Sequence, residues 1–366
     1  MQTPVQDNKN MAEYAAITGW GKCVPPAILT NDEIASIIDT SDEWIRTRSG
    51  IRERRVSHVP GSDLASVAGQ RALAAADVDA NDVDLLIVAT CTPDTVIPST
   101  AAHVQRKIGA HNAAVFDLNA GCSGFIYSLD VATAMIRSGS YQKALVIGSE
   151  RVTWFLNWSN RDTAVLFGDG AGAVVLQPSA VESGLLYSHL GCEGEAADAL
   201  HVPNFGTAGN RAVENYAAFD VHFDGREIFR RAVKGMAHET EIVLKKLGLT
   251  EKDIDRIIPH QANLRIIESL AKHLSVDMSR VEVNIQNYGN TSAATIPVAL
   301  VEALEAGRIK AGDRILLAAF GAGLTRAAGL LRWGERTRPL KQSAAELPPC
   351  DQTALEILGD SIRITI

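Results

Sequence analysis

Two stretches of this chain read as copies of one another, which restricts it to folds built from paired halves. DVDLLI (82–87) returns as DIDRII (253–258), 171 residues later, each time after a helical pattern and leading into an apolar run. Asn119, Gly121 and Gly139 match Asn287, Gly289 and Gly307 at an offset of 168, and the runs ALVIG and ILLAA follow them. Three residues of insertion or deletion reconcile the two offsets. Halves packed about a pseudo-twofold axis bring equivalent loops together. Under this match Cys122 of the first half holds the place of Asn290 in the second, each behind a glycine at a strand-to-helix junction.

The runs LLIVAT (85–90), ALVIG (144–148), AGAVVL (171–176) and RILLAAF (314–320) read as strands buried on both faces. Helical stretches separate them. One starts near Cys122, repeats apolar residues at Phe125, Leu129, Ala132 and Ile136, and ends at Gly139 in the place of a C-terminal glycine cap. The alternation predicts an α/β fold with mainly parallel sheets. With 366 residues, 46% of them hydrophobic, the chain can bury a large core.

A net charge of −8 argues against nucleic acid as a partner, so any anionic partner must meet a local basic patch. Five cysteines without metal-ligand spacing, and a start lacking the apolar core of a signal peptide, point to a cytoplasmic setting and no metal. No apolar run approaches the roughly 18 to 20 residues of a membrane-spanning helix. Residues 1–11 are expected to be a disordered extension, with Met11 a second candidate start.

Three residues carry the chemistry. Cys122 sits in NAGCSGF (119–125), where small neighbours permit close approach of a substrate and the following helix aims its positive end at the sulfur, which favours thiolate. A buried structural cysteine is the plain alternative. His260, in IIPHQANLRII (257–267), lies at a strand end, where active sites of α/β sheets gather. Asn290, in NYGNTSAATIPVAL (287–300), is a turn residue by itself; its match to Cys122 makes it a candidate donor to a carbonyl oxygen.

At these sites the sequence resembles β-ketoacyl-acyl-carrier-protein synthase III. The resemblance runs from Ala12 to Trp333 through TSDEWIRTRSGIRERR (40–55), GCSGF (121–125), LFGDGAGAVVL (166–176), PHQANLRII (259–267), YGNTSAA (288–294) and AFGAGLT (319–325). It implies a thiolase fold of five αβαβα layers with two pseudo-duplicated halves, 12–182 carrying Cys122 and 183–333 carrying His260 and Asn290, usually as a homodimer. It also implies a reaction without a resident cofactor. Cys122 takes a primer from acyl-CoA; malonyl-acyl-carrier protein then loses carbon dioxide, with His260 and Asn290 holding the enolate.

The family's oxyanion hole maps onto the backbone N–H groups of Cys122 and Ala322, where a third glycine is commoner; an alanine serves if its φ is negative. Its CoA site maps onto Trp44, Arg48, Arg161 and Asn263, carrier-protein docking onto Arg265, with Arg230 and Lys272 beside it, and the partner subunit's acyl pocket onto Ile97. The segment 334–366 has no assigned role.

Alternatives remain at this level. Thiolases need a second cysteine near AFGAG and elongating synthases a second histidine where Asn290 stands, so neither fits. Condensing enzymes and acyltransferases of secondary metabolism share the Cys-His-Asn set. Papain-like peptidases also order Cys, His and Asn this way, and here His260 lies 138 positions after Cys122, but their signature after the nucleophile is missing. A carrier-binding protein without activity would not need all three residues.

Overall fold

The structure, a computed structural model, describes residues 12–203, 207 and 221–365; the expected N-terminal extension 1–11 lies outside the described residues. The strands are β1 (Tyr14–Cys23), β2 (Ala27–Thr30), β3 (Glu53–Val56), β4 (Leu85–Ala89), β5 (Ala114–Leu118), β6 (Ala144–Arg151), β7 (Asp169–Ser179), β8 (Gly184–Cys192), β9 (Leu200–His201), β10 (His222–Phe223), β11 (Arg256–Pro259), β12 (Arg314–Gly321) and β13 (Thr325–Arg332). The helices are α1 (Asn31–Ala35), α2 (Asp42–Ser49), α3 (Gly61–Ala76), α4 (Thr100–Ile108), α5 (Gly124–Arg137), α6 (Arg161–Ala164), α7 (Gly225–Leu247), α8 (Leu264–His273), α9 (Ile285–Tyr288), α10 (Thr295–Glu305) and α11 (Ala354–Thr365).

The duplication is visible as topology. In the first half the strand order is β5-β4-β6-β7-β1, with β4 parallel to β5 and β6, and β7 antiparallel to β6 and β1. In the second half β11 runs parallel to β12, and β13 antiparallel to β12 and β8. A parallel bridge from Ile257 to Val281 takes the place that β5 has beside β4. The halves meet where Ala15 of β1 faces Gly184 of β8. The sheet is therefore mixed, not mainly parallel as the apolar runs suggested. A strand covered on both faces is apolar whichever way it runs, so composition carries no direction.

Alternation along each strand builds the layers. Leu85 and Ile87 of β4 face inward, into a core with Phe125 and Leu129 of α5, Ile296 and Leu300 of α10, and Leu317 of β12. Leu86 and Val88 face outward, against Leu64 and Ala68 of α3 and Val104 of α4. On the far side Met236 and Val243 of α7 and Ile267 and Leu270 of α8 cover Leu316 and Leu330. The order is αβαβα, with α5 and α10 as the central layer.

Two strand glycines let that layer sit close. A Cβ at Gly148 would lie 2.4 Å from Ala293 O, and one at Gly172 would lie 2.7 Å from Pro297 Cβ. This approach presses the start of α10, and the Asn290 loop before it, against the end of β6.

The tail beyond Trp333 wraps the first half. The Arg336 guanidinium lies 5.5 Å from the Trp20 ring centre, Leu340 N donates to Ala75 O at 3.0 Å, and Lys341 pairs with Asp77 at 2.5 Å. His58 Nε2 lies 2.9 Å from Pro348 O. The tail ends in α11, which buries Ala354 and Leu358 in a cluster with Ile34 and Ile45, with Trp44 packed against it.

Candidate active site

Cys122 lies in the turn between β5 and α5. Gly121 takes φ +53°, and a Cβ there would come within 2.9 Å of Ala322 N, so glycine is what lets the segment after β12 approach. The backbone N–H groups of Cys122 and Ala322 both act on the Cys122 thiol, drawing its pKa down. Ala322 is not among the residues with positive φ, so the alanine in place of the usual glycine keeps its donor in position.

The expectation of a resting thiolate fails. Burial pushes the Cys122 thiol up to about 11, with a smaller upward push from Glu150, and the hydrogen bonds from Ser292 and the two backbone groups offset this only in part. Full removal from water opposes the thiolate that a helix N-terminus favours.

His260 follows β11, its N–H donating to Ala318 O at 2.8 Å, and its side chain is 3% exposed. Burial, with no anion beside it, lowers its pKa to about 3, so the imidazole is neutral. Nδ1 lies 2.7 Å from Thr295 Oγ1, whose single proton can go there or to Ser292 O at 3.0 Å. Asn290 is anchored through both backbone groups: its N–H donates to Leu166 O at 2.8 Å and its carbonyl accepts from Gly168 N at 3.1 Å. Its Oδ1 accepts from Ser292 N at 2.8 Å, which fixes the amide and leaves Nδ2 as the free end.

Cys122, His260 and Asn290 line one cavity of 490 Å³, together with Trp44, Arg48, Asn263, Phe167 and Phe320. A second cavity of 420 Å³ continues beyond Cys122, bounded by Ala120, Val152, Phe155, Val202, Val221 and Ala322, and by Cys91 and Ser292. Cys122, Phe167 and Leu200 belong to both. Cys122 therefore stands where a cavity with a polar mouth meets an apolar one.

At the mouth, the Arg48 and Arg161 guanidinium carbons lie 4.7 and 4.6 Å from the Trp44 ring centre. A flat ring stacking between Trp44 and Arg48 has to displace that contact. Asn263 caps α8, with Oδ1 accepting from Arg265 N at 2.9 Å and Nδ2 donating to Arg48 O at 3.0 Å, so its amide also holds α2 in place. Arg265 and Lys272 are exposed on α8 and form no ion pair among the described residues. Arg230 is tied to Glu227 at 2.7 Å, which weakens it as a free cation, whereas Arg226 lines the mouth and is exposed. Ile97 is 87% exposed and beside Val96 at 77%; it lines neither cavity of its own chain.

Sequence reasoning missed Ser292, Thr295, Glu150 and Arg226. Glu150 left a signal, a lone carboxylate closing the apolar run of β6. Ser292 and Thr295 were concealed among the small residues that follow Asn290.

The family model for 3-oxoacyl-[acyl-carrier-protein] synthase III matches residues 116–194, and that for the 3-oxoacyl-[acyl-carrier-protein] synthase III C terminal matches residues 244–333. Over 351 residues, 96% of this chain and 97% of the other, it is 54% identical to a β-ketoacyl-[acyl-carrier-protein] synthase III 2 of Vibrio vulnificus. It belongs to the β-ketoacyl-acyl-carrier-protein synthase III family. The crystal structure of a synthase III from Aquifex aeolicus matches 87% of this chain and 100% of that one with a TM-score of 0.82 at 43% identity. A priming β-ketosynthase from a polyketide pathway matches 92% and 99% with a TM-score of 0.83 at 33%.

As a synthase III the chain is a condensing enzyme of the acyltransferase class with a thiolase fold, and the peptidase alternative falls. An alignment of 351 residues has to run past Trp333, so the Vibrio synthase III 2 shares part of the tail. Among the described residues, no helix is long and apolar enough to cross a membrane, and no group of three His, Cys, Asp or Glu could hold a metal ion.

Proposed function

We propose that this chain joins an acyl-CoA primer to malonyl-acyl-carrier protein through an acyl-Cys122 intermediate, releasing carbon dioxide and beginning a fatty acid. The observation that carries the reading is the convergence of Cys122, His260 and Asn290 on one tunnel, with an apolar pocket continuing past the sulfur.

Trp44, Arg48 and Arg161 receive the nucleotide end of acyl-CoA, and the pantetheine arm runs past Asn263 to Cys122. Attack on the thioester puts negative charge on its oxygen, which the N–H groups of Cys122 and Ala322 stabilise. The acyl chain lies in the apolar pocket, and CoA leaves by the tunnel. The carrier protein, an acidic partner by this reading, then docks on Arg265 and Lys272, with Arg226 nearer the mouth than Arg230.

Loss of carbon dioxide from the malonyl group leaves an enolate. Its oxygen accepts from Asn290 Nδ2 and from His260 Nε2, which carries the imidazole proton when Thr295 gives its own to Nδ1 over the shorter of its two contacts. A neutral His260 suits this donor role, because it neither titrates near neutrality nor attracts the malonyl carboxylate it must help to lose. The enolate carbon then attacks acyl-Cys122.

The exposed Val96–Ile97 tip supports a homodimer, in which this apolar pair enters the acyl pocket of a second copy. We place the reaction in the cytoplasm, where thiols stay reduced, and require no resident cofactor for it. Incubation of the full chain with acyl-CoA and malonyl-carrier protein tests the reading: a 3-oxoacyl-carrier protein is expected with one carbon dioxide per condensation. Transfer of the acyl group to an alcohol or amine, without carbon dioxide, would sink it.

A further inference from the structure

One carboxyl group at the centre of the site has no part in the steps above. Glu150, next to last in β6, is fully buried, and among the described residues no Lys, Arg or His pairs with it. Its Oε2 accepts from Thr92 Oγ1 at 2.6 Å, Thr92 N at 3.0 Å and Thr90 Oγ1 at 3.1 Å. Its Oε1 accepts from Ser292 Oγ at 2.9 Å and Cys91 Sγ at 3.3 Å, and Cys91 N reaches both oxygens, at 3.2 and 3.1 Å.

Every partner is a donor, which is the environment of a carboxylate rather than a carboxylic acid. Yet no positive charge offsets its removal from water, and burial pushes its pKa up. A group held between these two influences changes protonation at modest cost.

Ser292 connects this carboxylate to the nucleophile. Its Oγ lies 2.9 Å from Glu150 Oε1 and 3.5 Å from Cys122 Sγ. A hydroxyl donates and accepts at once, so it passes a proton between the two. Its backbone is held at φ +49°, a region that residues other than glycine seldom occupy, and this conformation is secured by its N–H on Asn290 Oδ1. The other candidate base, His260, is too weakly basic to draw a proton from a thiol that burial has made reluctant to ionise.

We propose that Glu150 is a positioning residue for the Cys122 nucleophile: it takes the thiol proton through Ser292 Oγ during acylation, keeps it while the acyl group occupies the sulfur, and returns it when the thiolate leaves. This rests on Cys122 being the acylated residue.

In acylation the Sγ–H bond breaks, its proton moves to Ser292 Oγ, and the serine's own proton moves to Glu150 Oε1. The sulfur pair forms the bond to the acyl carbon, and the CoA–acyl bond breaks with its pair on the CoA sulfur, which takes a proton from water in the tunnel. In condensation the pair released by decarboxylation forms the carbon–carbon bond. The acyl–Cys122 bond then breaks with its pair on Sγ, and the proton on Glu150 returns through Ser292.

The titratable groups facing Glu150 are Cys91, whose thiol burial pushes well above its ordinary value, and Cys122. Asp169 of β7, opposite the neighbouring Arg151, is committed to Thr153 and Ser57.

The test is single-turnover CoA release from acyl-CoA between pH 5.5 and 9, in the full chain and in Glu150→Gln, Ser292→Ala, their double variant and Glu150→Asp. The first two are expected to be about tenfold slower or more at pH 7 and to recover as pH rises and hydroxide replaces the lost acceptor. The double variant should be no slower than either single one, and Glu150→Asp should regain part of the rate with the pH profile of the unaltered chain.

Rates equal to the unaltered chain, or slowed by one factor at every pH, overturn the relay; if Glu150→Gln does not fold, Ser292→Ala decides by the same criterion. Peptide mapping of the unaltered chain separates the two claims. A label on Cys122 together with indifferent variants removes only the relay, whereas no label on Cys122 removes the reading beneath it.

Discussion

Asn290→Asp isolates one hydrogen-bond donor almost without changing shape. The structure fixes which atom changes: Oδ1 stays on Ser292 N at 2.8 Å, the backbone stays on Leu166 and Gly168, and only Nδ2 is replaced by an oxygen. Loss of a single preorganised donor to a developing oxyanion costs about 2.7–4 kcal/mol, or roughly 10²- to 10³-fold in rate. An ionised carboxylate also repels the enolate, so the loss should sit at or beyond the upper end of that range at pH 8. As pH falls and the introduced carboxyl takes up a proton, it becomes a donor again and part of the rate should return.

The assay is carbon dioxide release from malonyl-carrier protein, run beside Cys122 acylation by acyl-CoA. Acylation should persist appreciably, because the role proposed for Asn290 lies in the second half-reaction alone. Decarboxylation at the unaltered rate at pH 8, or loss of acylation with decarboxylation intact, would refute the assignment.

Ile97→Phe fills space in the partner's acyl pocket if the homodimer is as proposed; overpacking costs about 1–3 kcal/mol. The acylation ratio of octanoyl-CoA to acetyl-CoA should fall by about tenfold or more, each 1.4 kcal/mol being a factor of ten, and an unchanged ratio would take Ile97 out of the pocket. Leu358→Ala removes a buried anchor of α11 beside the cluster that carries Trp44, a change worth about 2–5 kcal/mol in a rigid core. A lower melting temperature and a raised KM for acyl-CoA are expected, and no change in either would mean that the tail does not brace the tunnel mouth.

Asp169, which burial raises from 3.8 to about 6, holds its proton more tightly folded than unfolded. Its contribution to stability is present below pH 4 and lost as pH rises through 6, at most about 3 kcal/mol at 1.36 kcal/mol per unit. Melting curves of Asp169→Asn should be flatter across that window, and an unaltered slope would contradict this.

Much of the scaffold was legible because it follows from local rules. Apolar runs marked β4, β6, β7 and β12, and Gly139, with φ +73°, closes α5 where the pattern ended. The repeat of DVDLLI and DIDRII placed β4 and β11 as equivalents, which the matching strand orders bear out. Strand direction was hidden, since β7 and β13 are as apolar as their parallel neighbours.

The protonation of Cys122 was misread for a related reason: a segment shows that a helix follows Cys122, but not that Ser292, in the turn before α10, and the segment after β12 come up to it. The Glu150–Ser292 contact spans 142 residues and joins the two halves. Neither residue is unusual in its own segment, so only the fold reveals the pair. The tail was opaque because its apolar residues, Ala354 and Leu358 among them, join a cluster with residues of β2 and β3 from near the other end of the chain.

The central claim is that Cys122 carries the acyl group, and intact-protein mass spectrometry with peptide mapping after incubation with acyl-CoA tests it most directly. The account predicts one acyl adduct per chain, located on Cys122, absent in Cys122→Ser and removed by malonyl-carrier protein. A label on Cys91 or Cys23, or an adduct that survives Cys122→Ser, would contradict it.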